Sequence, residues 1–271
     1  MYNSICLVTK RGVSLHFQAK THYNDPNRRK NQKSLFIRTL VIYNKHLYLN
    51  RIRQVAVRLD YLLQNVVFVG GSVVALYADD PAADEVRPTD DIDIVVGIST
   101  RVAYSEFEDK IRQLGFKNVI DSDFIGRYKI DEIIVDVMPI DDYVLGFSNI
   151  WYKEGIEKSF LYEIDKDISV RLMPFHYFIA SKIEAHNSRN KGDLRQSKDF
   201  EDIVYLFDNR LDPLTDLQNA TGLVEKYLKE QVNNFLEDFN FHEGVDSHLH
   251  SQNSNRRVQR IKGIWAAFLA G

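Results

Sequence analysis

Asp91 and Asp93 stand two apart in the run Asp91-Ile92-Asp93-Ile94-Val95-Val96. A β-strand turns residues i and i+2 to one face, so both carboxylates point the same way. Ile92, Ile94 and Val96 alternate with them and predict a strand whose other face enters the core. Two carboxylates held this close repel each other unless a cation lies between them. Magnesium is a hard ion that takes oxygen ligands and usually brings substrate phosphates with it. Upstream, Gly70-Gly71-Ser72 predicts a turn into a helix start, whose backbone N–H groups can meet a phosphate. Together these features describe a site for a nucleoside triphosphate and a metal.

A third carboxylate, Asp136, sits in the apolar run Ile133 to Pro139. A charge there is costly unless it is paired or binds metal. On an adjacent strand it would complete a triad with Asp91 and Asp93. Three carboxylates can hold two magnesium ions across an in-line displacement. The alternative for Asp136 is a buried salt bridge to an arginine. Asp90 should face the other way, and Asp131, Asp141 and Asp142 read as loop acids.

A triphosphate also needs cations. Lys182 and Arg189 are seven residues apart, close to two helical turns, so they share a face if the helix reaches that far. Lys191, Arg195 and Lys198 follow. An ordinary solvated helix end is the competing reading, with Lys198 paired to Asp202 at i+4.

The elements that must position these groups are legible in outline. A helix is expected from about Asn44, with Leu47, Ile52, Val55, Leu59 and Leu62 on one face. A buried strand spans Val66 to Val69. A helix begins at Ser72, its expected N-cap, and a loop covers Asp80 to Pro88. After the Asp91 strand come an amphipathic helix over Tyr104 to Leu114 and short strands near Phe116 to Ile120, Arg127 to Ile130 and Ile133 to Val137. A strand is expected at Ile168 to Leu172. Helices are then expected near Phe175 to Asn187, Ser197 to Phe207, Gly222 to Phe239 and Arg256 to Leu269. The fold class expected is α+β: a small mixed β-sheet with flanking helices, followed by a helical C-terminal part. The domain reading is 1–43, a basic N-terminal extension; 44–150, the core; and 151–271, a mainly helical part that completes the nucleotide site.

Composition narrows the class. The chain has 271 residues, 44% of them hydrophobic, a net charge of -3 and a single cysteine, Cys6. One cysteine excludes an intramolecular disulfide framework and fits a reducing cytoplasm. No apolar run is long enough to span a membrane. Arg11, His16 and Lys20 interrupt any leader-like stretch. The expected location is cytoplasmic. The first stretch is basic around Asn24 to Lys33 and shows no convincing periodicity. A basic arm for nucleic acid and a disordered extension are both open readings of it. His242, His248 and His250 crowd one polar stretch, read as a loop rather than a zinc site. Phe175, Tyr177 and Phe178 read as core rather than base-stacking residues.

The ordered set Gly70-Gly71-Ser72, Arg87-Pro88-Thr89-Asp90-Asp91-Ile92-Asp93 and Val135-Asp136 resembles the polymerase β-like nucleotidyltransferase superfamily. The nearest likeness is to the AbiEii/AbiGii-type nucleotidyltransferases. Arg87, Thr89, Asp91 and Asp93 meet their alternating pattern. Ala180-Ser181-Lys182-Ile183-Glu184-Ala185, Arg189, Gly192-Asp193, Ser197-Lys198-Asp199 and Glu201-Asp202-Ile203 look like their later motifs. The likeness covers roughly Leu47 to Arg210.

It implies that Gly70, Gly71 and Ser72 hold the nucleotide phosphates and that Asp91 and Asp93 bind magnesium. Asp136 would bind the catalytic metal and help deprotonate the attacking hydroxyl. Lys182 would contact the triphosphate, with Arg189 beside it, while Lys198 and Asp199 shape the nucleotide pocket. It also implies transfer of a nucleoside monophosphate to a hydroxyl, and a toxin role with RNA, most of all tRNA, as acceptor and a cognate antitoxin as partner. A small-molecule or protein acceptor, or a non-catalytic binding module, are the alternatives. Arg51, Arg53 and Arg58 mildly favour RNA. The long loop after Ser72 departs from the pattern. Its acids Asp79, Asp80, Asp84 and Glu85 would repel a polyanion.

Overall fold

The computed structural model describes residues 3–8, 14–19, 48–189, 193–249 and 254–271. The chain divides into two compact units, Met1–Leu40 and Val41–Gly271. In the first unit, β1 (Asn3–Val8) and β2 (Ser14–Ala19) form an antiparallel hairpin, with Ile5 opposite Phe17 and Leu7 opposite Leu15. β2 alternates polar and apolar residues from Ser14 to Ala19, a two-residue repeat that a search for helical periodicity misses. The basic tract 24–33, the apolar run 35–43 and the expected helix start at 44–47 lie outside the described residues.

The second unit opens on α1, a helix over 48–59. Tyr48, Ile52, Val55, Ala56 and Leu59 are buried along one stripe. A 3-10 turn leads into β3 (Val66–Val69), buried at every position. Gly70 takes φ 71°, a conformation that costs other residues strain. It redirects the chain into a 3-10 turn, Gly71–Val73, and the short α2 (Val74–Tyr77). The expected N-cap at Ser72 is not formed. Ser72 lies inside this turn and its hydroxyl reaches back to the Val69 carbonyl at 3.5 Å.

Next come β4 (Asp91–Val96), α3 (Arg101–Gln113), β5 (Lys117–Asn118), β6 (Arg127–Ile130) and β7 (Ile133–Pro139). α4 (Asp142–Leu145), α5 (Tyr152–Glu157), β8 (Phe160–Glu163) and β9 (Ser169–Leu172) follow. The remainder is helical: α6 (Phe175–Arg189), α7 (Lys198–Asn209), α8 (Pro213–Gln218), α9 (Leu223–Glu237), α10 (Phe241–Ser247) and α11 (Ser254–Ala270). α4, α5, α8 and α10 have no counterpart in the sequence expectation. None exceeds seven residues, too short for periodicity to declare itself.

The sheet has seven strands in the order β5-β6-β7-β4-β3-β9-β8. β4 runs parallel to β7 and antiparallel to β3, while β3 runs parallel to β9. The fold is α+β, a mixed sheet with flanking helices. The boundary drawn at 150 does not divide it, because β8 and β9 complete the same sheet beside β3. Phe160 and Leu161 on edge strand β8 are exposed, so β8 carries no buried alternation to read.

Helix α6 is buried on almost every side, from Phe175 through His186, which is the pattern of a central helix. Phe175, Tyr177 and Phe178 pack in the core as expected. Trp265 of α11 meets Phe200, Phe207, Phe235 and Phe241, and Trp151 meets Tyr177 and Tyr227. Among the described residues no helix is long and apolar enough to cross a membrane.

Candidate active site

The register of β4 against β7 makes the centre. Asp93 lies directly opposite Asp136 on the parallel neighbour, and Asp91 lies opposite Ile134. Asp91 and Asp93 are half-buried on one face, while Ile92 and Ile94 are fully buried on the other. The strand alternation therefore acts as expected, and β7 brings the third carboxylate alongside.

Helix α1 and the preceding loop fix the approach to β4. Tyr48 donates its hydroxyl to the Arg87 carbonyl at 3.2 Å, and Arg51 donates to the Thr89 and Asp90 carbonyls at 2.7 and 2.5 Å. Thr89 in turn donates to Asp91 Oδ1 at 2.8 Å. Asp90 is exposed, away from the pair. Asp131 pairs with Arg58 and Asp141 caps α4, while Asp142, expected in a loop, is the first residue of that helix.

The glycines serve closeness as well as turning. A Cβ on Gly70 would stand 1.8 Å from Asp93 Oδ2, and one on Gly71 would stand 2.8 Å from an Arg87 guanidinium nitrogen. Only a bare backbone lets the turn approach these two charges.

Burial is the largest influence on Asp93, followed by repulsion from Asp91, and together they push its carboxyl up to about 7. Lys182 and Arg189 pull it down and Asp136 adds to the rise. Burial likewise raises Asp136, against the opposing pull of Arg127. Arg127 on β6 stands level with Asp136. It grips the carboxylate through two bonds of 2.8 and 2.7 Å and reaches Asp91 Oδ2 at 3.5 Å. Asp136 thus has the arginine partner that the competing reading required, and it also faces Asp93.

The opposite wall is a buried charge network. Asp202 of α7, 1% exposed at its side chain, accepts from Arg87 at 2.7 and 2.9 Å and pairs with Lys182 at 2.7 Å. Lys182 also donates to Asp199 at 3.1 Å. Burial works against the charge on Lys182, but Asp202 and Asp199 outweigh it and raise its pKa. Arg189 closes α6 and reaches Asp199 at 3.5 Å, with 69% of its side chain exposed. Lys182 and Arg189 do lie on one helix. Lys198 is exposed and does not hold Asp202, whose oxygens are taken by Arg87 and Lys182. Lys191 and Gly192 lie outside the described residues.

Asp202 is the residue that sequence reasoning undervalued, treating it as a surface partner for Lys198. Its signal was available: it falls on the apolar face of α7 with Ile203 and Leu206, where a charge demands a partner. Asp199 gains further from the first turn of α7, where the helix dipole favours an anion. Ser197 caps that helix by accepting from the Phe200 N–H at 3.1 Å, and His186 of α6 stands 2.7 Å from the same hydroxyl.

The donors fit magnesium in type, being carboxylate oxygens whose mutual repulsion a divalent cation relieves. Asp91 accepts from Thr89 at 2.8 Å and lies 3.5 Å from Arg127, while both oxygens of Asp136 are engaged by Arg127 at 2.8 and 2.7 Å. Among the described residues no three His, Cys, Asp or Glu side chains already stand around one ion position. A divalent cation would be held by Asp91 and Asp93, and Asp136 would join only by loosening from Arg127.

This geometry coincides with a family match. The family model for the nucleotidyl transferase AbiEii toxin of type IV toxin–antitoxin systems covers residues 57–270. The chain belongs to the AbiEii family. It is a nucleotidyltransferase. The curated proteins contain no match to it.

Two expectations change in this AbiEii chain. The loop acids are occupied: Asp84 pairs with Arg257 at 2.5 Å, Asp79 accepts from the Leu211 N–H at 2.8 Å, and Asp80 accepts from the Ala82 N–H at 2.7 Å. Arg257 also binds Asp208. Arg257 of α11 offsets the charge of Asp84, while Asp79 and Asp80 are held by backbone N–H groups and keep theirs. The arginines of α1 have partners within the chain at its surface, Arg53 on Asp165 and Arg58 on Asp131, with Arg51 on the carbonyls described above. His248 bonds the Leu194 carbonyl at 2.7 Å, and His250 lies outside the described residues.

Proposed function

We propose that this protein moves a nucleoside monophosphate from a nucleoside triphosphate to an acceptor hydroxyl with magnesium, that the acceptor is RNA, most of all tRNA, and that the activity is that of a toxin held in check by a cognate antitoxin. The observation that carries the reading is the alignment of Asp93 with Asp136 beside Asp91, under the glycine turn that closes on Asp93.

In the reaction the hydroxyl oxygen forms a bond to the α-phosphorus, the bond to the bridging oxygen breaks, and pyrophosphate leaves. Magnesium, held by Asp91, Asp93 and Asp136, would neutralise charge on the transferring group. Gly70, Gly71 and Ser72 receive the phosphates, since no side chain at the glycines bars a close approach. Asp136 takes the proton of the attacking hydroxyl once Arg127 releases it. Lys182, Lys198 and Asp199 shape the pocket. Arg189 is the freer cation for the triphosphate, since Lys182 already faces two carboxylates. The exposed Arg189, Arg195 and Lys198 lie near one another in sequence on α6, α7 and their connection. Arg189 pairs with Asp199 and Arg195 with Asp193 and Glu243, so exposed Lys198 is the cation among them that best supports a polyanionic acceptor.

The test is incubation with each α-labelled nucleoside triphosphate, magnesium and total bacterial RNA, beside Asp91→Ala/Asp93→Ala. Label in tRNA-sized RNA with wild type and none with the variant is the expected result. Label only in small molecules or protein would overturn the RNA acceptor. No label with any acceptor would overturn the catalytic reading.

A further inference from the structure

One hydroxyl at the site is poorly satisfied. Tyr152 is the first residue of α5. Asn149 anchors that helix start: its amide donates to the Ser181 carbonyl at 2.8 Å, and its Oδ1 accepts from the Trp151 N–H at 3.1 Å. Ser181 directly precedes Lys182 on α6. The loop is thus fixed to the wall that carries the buried lysine.

From there the Tyr152 hydroxyl reaches the Met138 thioether at 3.5 Å. Met138 lies two residues beyond Asp136 on β7 and so shares its face of the sheet. It stands level with Val95, two residues beyond Asp93. The phenol therefore sits one strand step past the carboxylates. Burial is the main cause of its raised pKa, Asp93 and Asp199 add to the rise, and Arg189 opposes it. The contact with Met138 places the hydroxyl against β7, while Asn149 ties the start of α5 to α6. The hydroxyl keeps its proton and acts as a donor.

A thioether is a weak acceptor. Other tyrosines of the fold spend their hydroxyls on oxygen: Tyr77 on the Met173 carbonyl, Tyr104 on the Val137 carbonyl, Tyr177 on Glu154 and Tyr227 on Glu184. Tyr152 does not. We propose that Tyr152 donates its hydrogen bond to an oxygen of the nucleoside triphosphate bound over Asp91 and Asp93, exchanging the sulfur for a better acceptor and orienting the nucleotide. The inference rests on the nucleotidyltransferase reading above.

Tyr152→Phe removes the donor and keeps the ring. Binding of the α,β-methylene analogues of the four ribonucleoside triphosphates is measured by calorimetry with magnesium, beside steady-state kinetics with the natural triphosphates and thermal melting. Wild type should bind at least one analogue. Tyr152→Phe should bind it about tenfold more weakly, equal to about 1.4 kcal/mol. The KM for triphosphate should rise, while the KM for acceptor and the melting midpoint stay unchanged. Equal affinity in wild type and Tyr152→Phe overturns the role of Tyr152 and leaves the nucleotidyltransferase reading standing. Weaker binding accompanied by a lower melting midpoint in Tyr152→Phe overturns it too, since the ring would then serve packing. A wild type that binds none of the four analogues removes both readings together.

Discussion

Arg127 and Asp136 face each other in register across β6 and β7, joined by two hydrogen bonds of 2.8 and 2.7 Å. The pair balances a carboxylate that the apolar strand β7 would otherwise leave uncompensated, and the same carboxylate lies opposite Asp93. One residue therefore has two competing partners, an arginine and the carboxylate cluster that a metal would bridge.

Replacing Arg127 by Gln should leave Asp136 half-satisfied and lower stability by about 1–3 kcal/mol without metal. Magnesium should then recover more stability in Arg127→Gln than in wild type, because no guanidinium competes for Asp136. Urea melts of both proteins with and without magnesium measure this. A metal-induced gain no larger in the variant would show that Arg127 does not compete for the site.

Asp202 is the keystone of the opposite wall. Asp202→Ala would strand Arg87 and leave the buried Lys182 with Asp199 alone, at a cost of about 3–5 kcal/mol. Asp199→Ala should cost less, since Lys182 keeps Asp202 and Arg189 is mostly exposed. Denaturant unfolding of the two variants ranks them, and the reverse order would refute the network as described.

The glycine turn predicts a steep asymmetry. Gly70→Ala puts a methyl 1.8 Å from Asp93 Oδ2 at a φ of 71°, so Asp93 must move. A displacement of about 1 Å at a reacting centre can cost about 100-fold in rate, and that is the loss expected in kcat. Gly71→Ala meets only the end of the Arg87 side chain, at 2.8 Å, and should lose less. Single-turnover transfer rates compare them; equal losses would contradict the geometry.

Stability should depend on pH through Asp93. Its carboxyl rises from an ordinary 3.8 to about 7, chiefly by burial and then by Asp91. The folded state thus holds a proton that the unfolded chain has lost. This contribution is complete below the unfolded value and disappears as pH rises through the folded one. In the absence of divalent metal, the melting midpoint should fall between about pH 4 and about pH 7, and Asp93→Asn should flatten that part of the fall. An identical slope in wild type and Asp93→Asn would rule Asp93 out as its source.

Some of this was legible in the chain because its causes are local. The alternation of Asp91 and Asp93 with Ile92 and Ile94 follows from the two-residue repeat of a strand. The glycine turn follows from a run with no side chains. The helical stripes of α7, α9 and α11 follow from a repeat near four residues, and an α+β fold was readable from the order of these segments. The match of motifs to a nucleotidyltransferase family needs no coordinates.

Tertiary structure decided which charges meet. That Asp93 stands opposite Asp136, that Arg127 grips Asp136, and that Asp202 rather than Lys198 answers Arg87 and Lys182 depend on pairings between distant segments. So does the closure of the sheet by β8 and β9. Whether the arginines of α1 face a partner or their own loop depends on the same packing. A local repeat fixes which way a side chain points. Only the folded chain fixes what it points at, because a partner tens of residues away leaves no trace in the spacing of either segment.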